Sequence, residues 1–188
     1  MSLQADIKQI EDELDAAESD ARALIAWLSE AHACWRAQPG SWSVAQCLEH
    51  LGVTNRAYLA AMEGPAVRAR QHGRLRRREA VPGWIGRFFV RMIEPPVKAR
   101  IRAPRSIVPS AEMNLADAFT SFMAGQDHVR AYLYAYNEID LASVRFPNPF
   151  MPGVRFSLAT GLHVIVAHER RHLWQAWRAR KAAEAARE

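Results

Sequence analysis

Apolar residues recur at intervals of three and four along four long stretches of the chain, a spacing that predicts four α-helices. The first stretch carries a continuous apolar stripe, formed by Ile7, Ile10, Leu14, Ala17, Ala21, Leu24, Leu28 and Ala31. A stripe of this kind is typical of a helix that packs in a bundle. The Gln38-Pro39-Gly40 sequence predicts the end of this first helix.

The second helix is predicted to begin after Ser41 or Ser43, because a serine side chain can cap the free backbone N–H groups of a helix start. Its apolar stripe consists of Val44, Leu48, Leu51, Tyr58, Leu59 and Met62. The adjacent glycine and proline, Gly64 and Pro65, predict its end.

The third and fourth helices occupy the C-terminal part of the chain. The third is predicted from about Glu112 to Glu138, with an inward face of Leu115, Phe119, Phe122, Val129, Leu133 and Tyr136. The sequence FPNPFMPG at 146–153 contains three prolines and a glycine, which exclude regular structure there. Ser157 is predicted to cap the fourth helix, whose stripe consists of Leu158, Leu162, Ile165, His168, His172 and Ala176.

These patterns predict an all-α fold, a four-helix bundle with one long crossover between the second and third helices. The short link between the first two helices makes them antiparallel neighbours, whereas residues 64–110, rich in proline and arginine, are long enough to cross along the bundle. The 188 residues are 49% hydrophobic and 24% charged, as in ordinary globular proteins. A single domain over residues 1–188 is therefore expected.

The cysteine content and the N-terminal sequence predict a cytoplasmic protein. The two cysteines, Cys34 and Cys47, are too few for a disulfide framework. The first residues are charged and amphipathic rather than apolar, and no run approaches the ~20 apolar residues of a membrane span.

The net charge of +5 is concentrated in a basic cluster between Arg68 and Arg105. Within residues 74–105, arginines alternate with large apolar residues, which is compatible with a basic amphipathic helix on an anionic membrane or with phosphate contacts. The favoured interpretation is that residues 84–93 cover one end of the bundle while the arginines stay solvated. Neither a specific nucleic acid nor a membrane is therefore expected as a partner.

The candidate chemistry lies in the sequence HERRH, from His168 to His172, which matches the H-E-x-x-H pattern of zinc peptidases. Histidines four residues apart on a helix can share one metal ion. A peptidase needs a third ligand downstream, but only sixteen residues follow His172. Glu184 would lie about 18 Å further along the same helix, and no strand is available to bind a peptide. These observations exclude the peptidase interpretation.

A third ligand must then come from upstream, and His50 is the best-placed histidine. It lies in WSVAQCLEHL, at the border of the apolar stripe of the second helix. Metal sites in bundles are commonly built from side chains on facing helices. The residues alone leave two interpretations open, a metal site or histidines that pack in the core or face solvent. The second interpretation is assigned to the other four histidines, His32, His72, His128 and His163.

The combination of WSVAQCLEHL, a proline-rich basic crossover, PNPF and HERRHLWQA resembles the DinB superfamily, and is most similar to its branch described as metal-dependent hydrolases. The resemblance extends from about Ile7 to Ala179. It implies a four-helix bundle, usually a homodimer, with a site for nickel, zinc or a similar divalent ion. The ligands that the resemblance implies are His50, His168 and His172.

The resemblance also implies the class of activity. Bacillithiol transferases and the mycothiol-dependent maleylpyruvate isomerase look like relatives, so a low-molecular-weight thiol is a candidate cofactor beside the metal. The expected function is a metal-dependent enzyme that activates water or a thiol against a small-molecule substrate, as a hydrolase or a thiol transferase. The alternatives are a non-catalytic metal-binding, dimerisation or sensing module, and a protein that binds membrane surfaces through residues 74–105.

Two residues beside the proposed ligands have more than one interpretation. Glu169 is the candidate catalytic residue, as a general base for a metal-bound water. It would otherwise pair with an arginine or orient a ligand imidazole. Cys47, three residues before His50, is either a thiolate near the metal or a small buried apolar side chain.

Overall fold

The computed structural model describes residues 5–96, 104, 107–110 and 113–186. Within these residues the chain forms six helices and two short strands. In chain order they are α1 Ala5–Ile25, α2 Glu30–Ala33, α3 Val44–Gln71, α4 Trp84–Ile93, α5 Leu115–Tyr136, β1 Arg145–Pro147, β2 Arg155–Ser157 and α6 Leu158–Ala185. Because helices make up nearly all of the regular structure, the predicted all-α fold is confirmed.

Helix α3 lies against both α5 and α6, and α1 lies against α6 and, over fewer residues, against α5. The approach of α3 to α5 is close because two glycines face each other. A Cβ atom built on Gly125 would lie 3.4 Å from the Cα atom of Gly52. One built on Gly52 would lie only 2.5 Å from the backbone oxygen of Ser121. These contacts fix the position of the helix that carries His50.

The first helix ends at Ile25, so its predicted end near residue 38 is wrong. Trp27 adopts a φ of 60°, in the left-handed region that interrupts a helix. Ser29 then caps the separate short helix α2. The apolar pattern did not reveal this break because Leu28, beyond it, still packs against the core.

The second helix begins as predicted, with Ser43 as its cap in a capping box with Gln46. Its predicted end at Gly64-Pro65 is wrong, since α3 continues to Gln71 with the proline inside it. A proline removes one backbone hydrogen bond from a helix. Here the following turns bury Ala66 and Ala69 in the core, which favours continuation. The long connection therefore starts at residue 72 rather than 64.

The last two long helices agree closely with their predictions. Helix α5 begins after the Asn114 cap and ends at Tyr136, against a predicted range of about Glu112 to Glu138; residue 112 lies outside the described residues. Ser157 caps α6 as predicted, and its Oγ atom accepts a hydrogen bond from the backbone N–H of Thr160. Regular structure was wrongly excluded from the start of 146–153, because strand β1 pairs with β2. Pro147 is tolerated as the last residue of this short strand.

Helix α4, within the basic connection, lies along α6. Its inner side packs on the bundle through the buried Ile93 and through Phe89, whose ring centroid is 5.0 Å from that of Phe156. Trp84 and Phe88 remain exposed, so the predicted covering role holds for only one side of the helix. The last part of the 74–105 segment lies largely outside the described residues. Across the part of the chain that is described, every helix is too short or too polar to cross a bilayer.

Candidate metal centre

His50 lies on α3 about two turns after the Ser43 cap, and its side chain is buried. The Nδ1 atom is 2.8 Å from the backbone oxygen of Ile107. Because a carbonyl oxygen only accepts hydrogen bonds, Nδ1 carries the proton and donates it. Burial lowers the pKa of His50 to about 4, so the ring is neutral near pH 7. Its Nε2 atom therefore offers a lone pair.

His168 and His172 lie one turn apart on α6, on the side that meets α3. The Nε2 atoms of His50 and His168 are 3.3 Å apart. The ring centroid of His172 is 4.6 Å from that of His50 and 4.4 Å from that of His168. One possible ligand atom from each of the three residues lies within 4.8 Å of the other two. The structure thus brings together the three histidines singled out from the sequence.

All three imidazoles are held neutral. Burial lowers the pKa of His168 and of His172 well below the usual range for histidine, and the neighbouring histidines and the charge of Arg171 act in the same direction. A neutral imidazole is the form that binds metal ions. The cluster is therefore ready to bind a metal at neutral pH without releasing side-chain protons.

The arrangement fits a divalent metal ion. Two nitrogen ligands at about 2.1 Å from a tetrahedral ion lie about 3.4 Å apart, close to the 3.3 Å between the Nε2 atoms of His50 and His168. Nδ1 of His172 is buried and has no hydrogen-bond partner among the described residues. Three imidazole donors without a carboxylate suit zinc, nickel or copper better than magnesium or calcium.

The segment 107–110 holds His50 in place from outside the helix. Besides the Ile107 contact, Gln46 donates a side-chain hydrogen bond to the Ser110 carbonyl, and Glu49 accepts one from the Ser110 backbone N–H, both at 3.0 Å. A partner on the second ring nitrogen fixes the tautomer and orientation of a metal-binding histidine. No sequence pattern indicates the contact with Ile107, because its contribution is a backbone oxygen in an irregular segment.

Trp42 covers one side of the histidine cluster. Its ring stacks on that of His172, with centroids 5.5 Å apart at an interplanar angle of 28°, and lies 4.6 Å from the ring of His50. Trp42 is the residue just before the helix cap, where an apolar side chain commonly packs back onto the first turn. Its position at the head of the WSVAQCLEHL motif was the available sequence signal.

Glu169 is buried beside the cluster, and its carboxylate accepts hydrogen bonds from two amide side chains on neighbouring helices. One carboxylate oxygen accepts a hydrogen bond of 2.7 Å from the Asn55 amide on α3, and the other accepts one of 3.1 Å from the Gln126 amide on α5. Glu169 therefore forms its hydrogen bonds with these two amides, in place of the expected contact with an arginine or a ligand imidazole. Burial raises the pKa of Glu169 to about 7, although both amides act in the opposite direction.

Cys47 is fully buried in the apolar cluster around Leu48 and Leu51, and burial raises the pKa of its thiol. A raised pKa disfavours the thiolate that would bind a metal. Among the described residues, the group that could hold an ion consists of the three histidines without a cysteine. The geometry favours the interpretation of Cys47 as a small apolar side chain.

The buried carboxyl of Glu169 predicts a specific pH dependence of stability in the metal-free protein. Its pKa in the folded state, about 7, lies above the ordinary 4.5, so the folded protein binds the proton more tightly than the unfolded chain. This contribution is complete below pH 4.5 and is lost as the pH rises through 7. We expect Glu169→Gln to remove about 2.5 kcal/mol of this loss between pH 5 and pH 8, measured by urea unfolding at both pH values.

A matched control is Glu184→Gln, at an exposed carboxyl on the same helix. All the histidines are kept in both variants, so the comparison isolates the removal of one carboxyl group. Equal pH dependence in the wild type and Glu169→Gln would show that the carboxyl is already ionised in the folded protein.

Comparison with known families agrees with the geometry. The family model of the DinB superfamily matches residues 13–176. This chain belongs to the DinB superfamily. The matched range contains His50, His168 and His172, and metal binding is a property of DinB-like proteins. No curated protein and no solved structure matches the chain significantly. The resemblance to the DinB superfamily that the sequence motifs indicated is thus confirmed.

Proposed function

We propose that this DinB-superfamily protein is a metal-dependent enzyme whose divalent ion is held by His50, His168 and His172. The observation that carries the proposal is the convergence of three neutral imidazoles from two helices, two of them buried and that of His168 half-buried, with ligand atoms within 4.8 Å of one another. Nickel or zinc is the proposed ion, because both accept a set of imidazole ligands.

An ion bound by three protein ligands keeps open positions and lowers the pKa of a water or thiol that occupies one of them. The protein's own groups prepare this chemistry. The Ile107 carbonyl keeps the proton on Nδ1 of His50, so that Nε2 stays available. Trp42 shields one side of the cluster from water. The positive charge of Arg171 near the cluster favours an anionic small-molecule substrate or thiol cofactor.

The reaction is proposed to be hydrolysis or the transfer of a low-molecular-weight thiol, since both use the same three ligands. The catalytic role predicted for Glu169 stays a prediction. To act as a general base, its carboxylate would have to leave the amides of Asn55 and Gln126. The observed bonds give more support to a positioning role, in which Glu169 joins α6 to α3 and α5.

The wider expectations from the sequence are retained as part of this proposal. They comprise a single domain over residues 1–188, a four-helix bundle formed by α1, α3, α5 and α6 with a crossover between α3 and α5, a homodimer, and a cytoplasmic location. The packing of α3 on α5 and α6, and of α1 on α6, supports the bundle.

A non-catalytic metal-binding or sensing module is the second candidate, and the depth of the site favours it. Only 2% of His50 and 7% of His172 is exposed, whereas His168 is half-buried. A surface groove of about 800 Å³ lies between α1 and α6, but it is lined by residues such as Glu13, Trp174 and Trp177 and by none of the three histidines. A buried metal that substrates cannot reach would have a structural or sensory role.

The test begins with the metal content of protein purified without a histidine tag or added metal. We expect about one equivalent of nickel or zinc per chain. The metal-loaded and metal-free forms are then compared in ester, amide and phosphoester hydrolysis and in thiol transfer with bacillithiol and mycothiol. Activity that needs the metal supports the enzyme, and bound metal without activity supports the second candidate. Absence of metal, with no change in thermal stability or absorbance on adding it, would overturn both.

A further inference from the structure

Helix α4 presents a row of large apolar side chains to solvent, called here the α4 outer face. It consists of Trp84, Ile85, Phe88 and Met92, whose side chains are 75%, 57%, 70% and 46% exposed. Trp84, Phe88 and Met92 follow one another at intervals of four, so they form a single ridge on the helix. Burial of such side chains is normally favourable, and their exposure on this short helix therefore calls for a partner.

The α4 outer face is exposed on a helix that is held in place by its packing on α6. A Cβ atom built on Gly86 would lie 2.5 Å from the hydroxyl oxygen of Thr160, so α4 packs closely on α6. At the end of the helix, the Glu94 carboxylate forms an ion pair with Arg170 of α6. Because the inner side is held in this way, the outer face cannot turn inward without breaking these contacts.

The α4 outer face and the segment just before it hold most of the large exposed apolar side chains of the described residues. Among the described residues, ten large apolar side chains are exposed, and six of them lie between residues 75 and 92. The six are Leu75, Val81, Trp84, Ile85, Phe88 and Met92. Single exposed apolar residues are ordinary, whereas a contiguous group marks an interaction surface.

The charges beside the ridge indicate what covers it. Arg87 and Arg91 are exposed along one edge of the α4 outer face, and within the described part of the chain neither forms an ion pair with a carboxylate. In a two-fold contact with the two copies of α4 antiparallel, the arginine edges of the two copies would lie side by side, and like charges repel. An anionic surface would instead complement both the arginines and the apolar ridge.

We propose that the α4 outer face docks the protein onto an anionic lipid bilayer. Trp84, Phe88 and Met92 lie in the boundary between headgroups and acyl chains, and Arg87 and Arg91 contact lipid phosphates. A short helix with aromatic residues on one face and arginines beside them has the character of an interfacial anchor. This docking is independent of the metal centre, and it gives the outer side of α4 a membrane role beside the covering role of its inner side.

The experiment is flotation of the full-length protein with vesicles of phosphatidylcholine alone, or of about three parts phosphatidylcholine to one part phosphatidylglycerol. We expect binding to the mixed vesicles, weakened by high salt, and little binding to phosphatidylcholine alone. Trp84→Glu and Phe88→Glu should each lower the partition coefficient about tenfold or more, and Arg91→Gln severalfold.

The matched control is Trp27→Glu, the same substitution at a fully exposed tryptophan outside α4, which should leave binding unchanged. Equal loss in Trp27→Glu and Trp84→Glu, or equal binding to neutral and anionic vesicles, would overturn the proposal. It would also be overturned if wild-type protein stays unbound while Trp84→Glu converts a dimer into a monomer in light scattering, because a second copy would then cover the face. Circular dichroism establishes that each variant is folded.

Discussion

Replacement of His50 by alanine is expected to lower the affinity for zinc or nickel by about 100-fold or more. Loss of outer partners of a metal ligand already costs about 10- to 100-fold, and loss of a ligand itself should cost at least as much. His168 and His172 would remain on α6, but two ligands on one helix do not complete a site of three. The affinities can be measured by competition with a chromophoric chelator.

The control for this prediction is His128→Ala, at an exposed histidine on α5. It should retain the wild-type affinity. The rise in melting temperature on adding metal provides a second readout, since a ligand that binds only the folded state stabilises it. Equal metal affinity in the wild type and His50→Ala would place any bound ion away from the cluster.

Replacement of Gly52 by alanine is expected to lower the free energy of unfolding by about 2–3 kcal/mol. The new methyl group would lie 2.5 Å from the backbone oxygen of Ser121, which cannot move without separating α3 from α5. This clash outweighs the gain in helix propensity, which is about 1 kcal/mol when alanine replaces glycine. Urea unfolding of the metal-free protein measures the difference.

Gly64→Ala offers a control on the same helix. A methyl group there would meet only the guanidinium of Arg68, at 3.2 Å, and a long side chain can move away. We therefore expect Gly64→Ala to be neutral or stabilising by up to about 1 kcal/mol. If both variants changed stability alike, the close contact between α3 and α5 would not be present in solution.

The parts predicted correctly from the sequence were those governed by local rules. Ser43 and Ser157 each precede an apolar repeat, and a serine at that point is a strong signal for a helix start. The placement of His168 and His172 on one face followed from their spacing of four residues. The pairing with His50, from a different helix, needed the added evidence of a family motif, because spacing along the chain carries no information about contacts between helices.

The failures came from tertiary contacts that override local signals. Pro65 predicted a helix end, but burial of Ala66 and Ala69 continues α3 beyond it. The break at Trp27 was hidden because the apolar spacing persists across it. The backbone oxygen of Ile107 and the amide partners of Glu169 could not be identified, since any residue supplies a carbonyl and buried amides have no characteristic spacing.

The three-helix contact of Glu169 has a consequence for the sliding of α6 along its neighbours. An apolar stripe repeats with the helix turn, so packing alone would tolerate a shift of about 5.4 Å, which would bring His172 to the level of His168. Such a shift would leave the amides of Asn55 and Gln126 facing Leu173 or Ile165 instead of a carboxylate. The buried carboxylate of Glu169 thus favours one helix register over the shifted ones. The same register sets the position along α3 at which His168 and His172 lie.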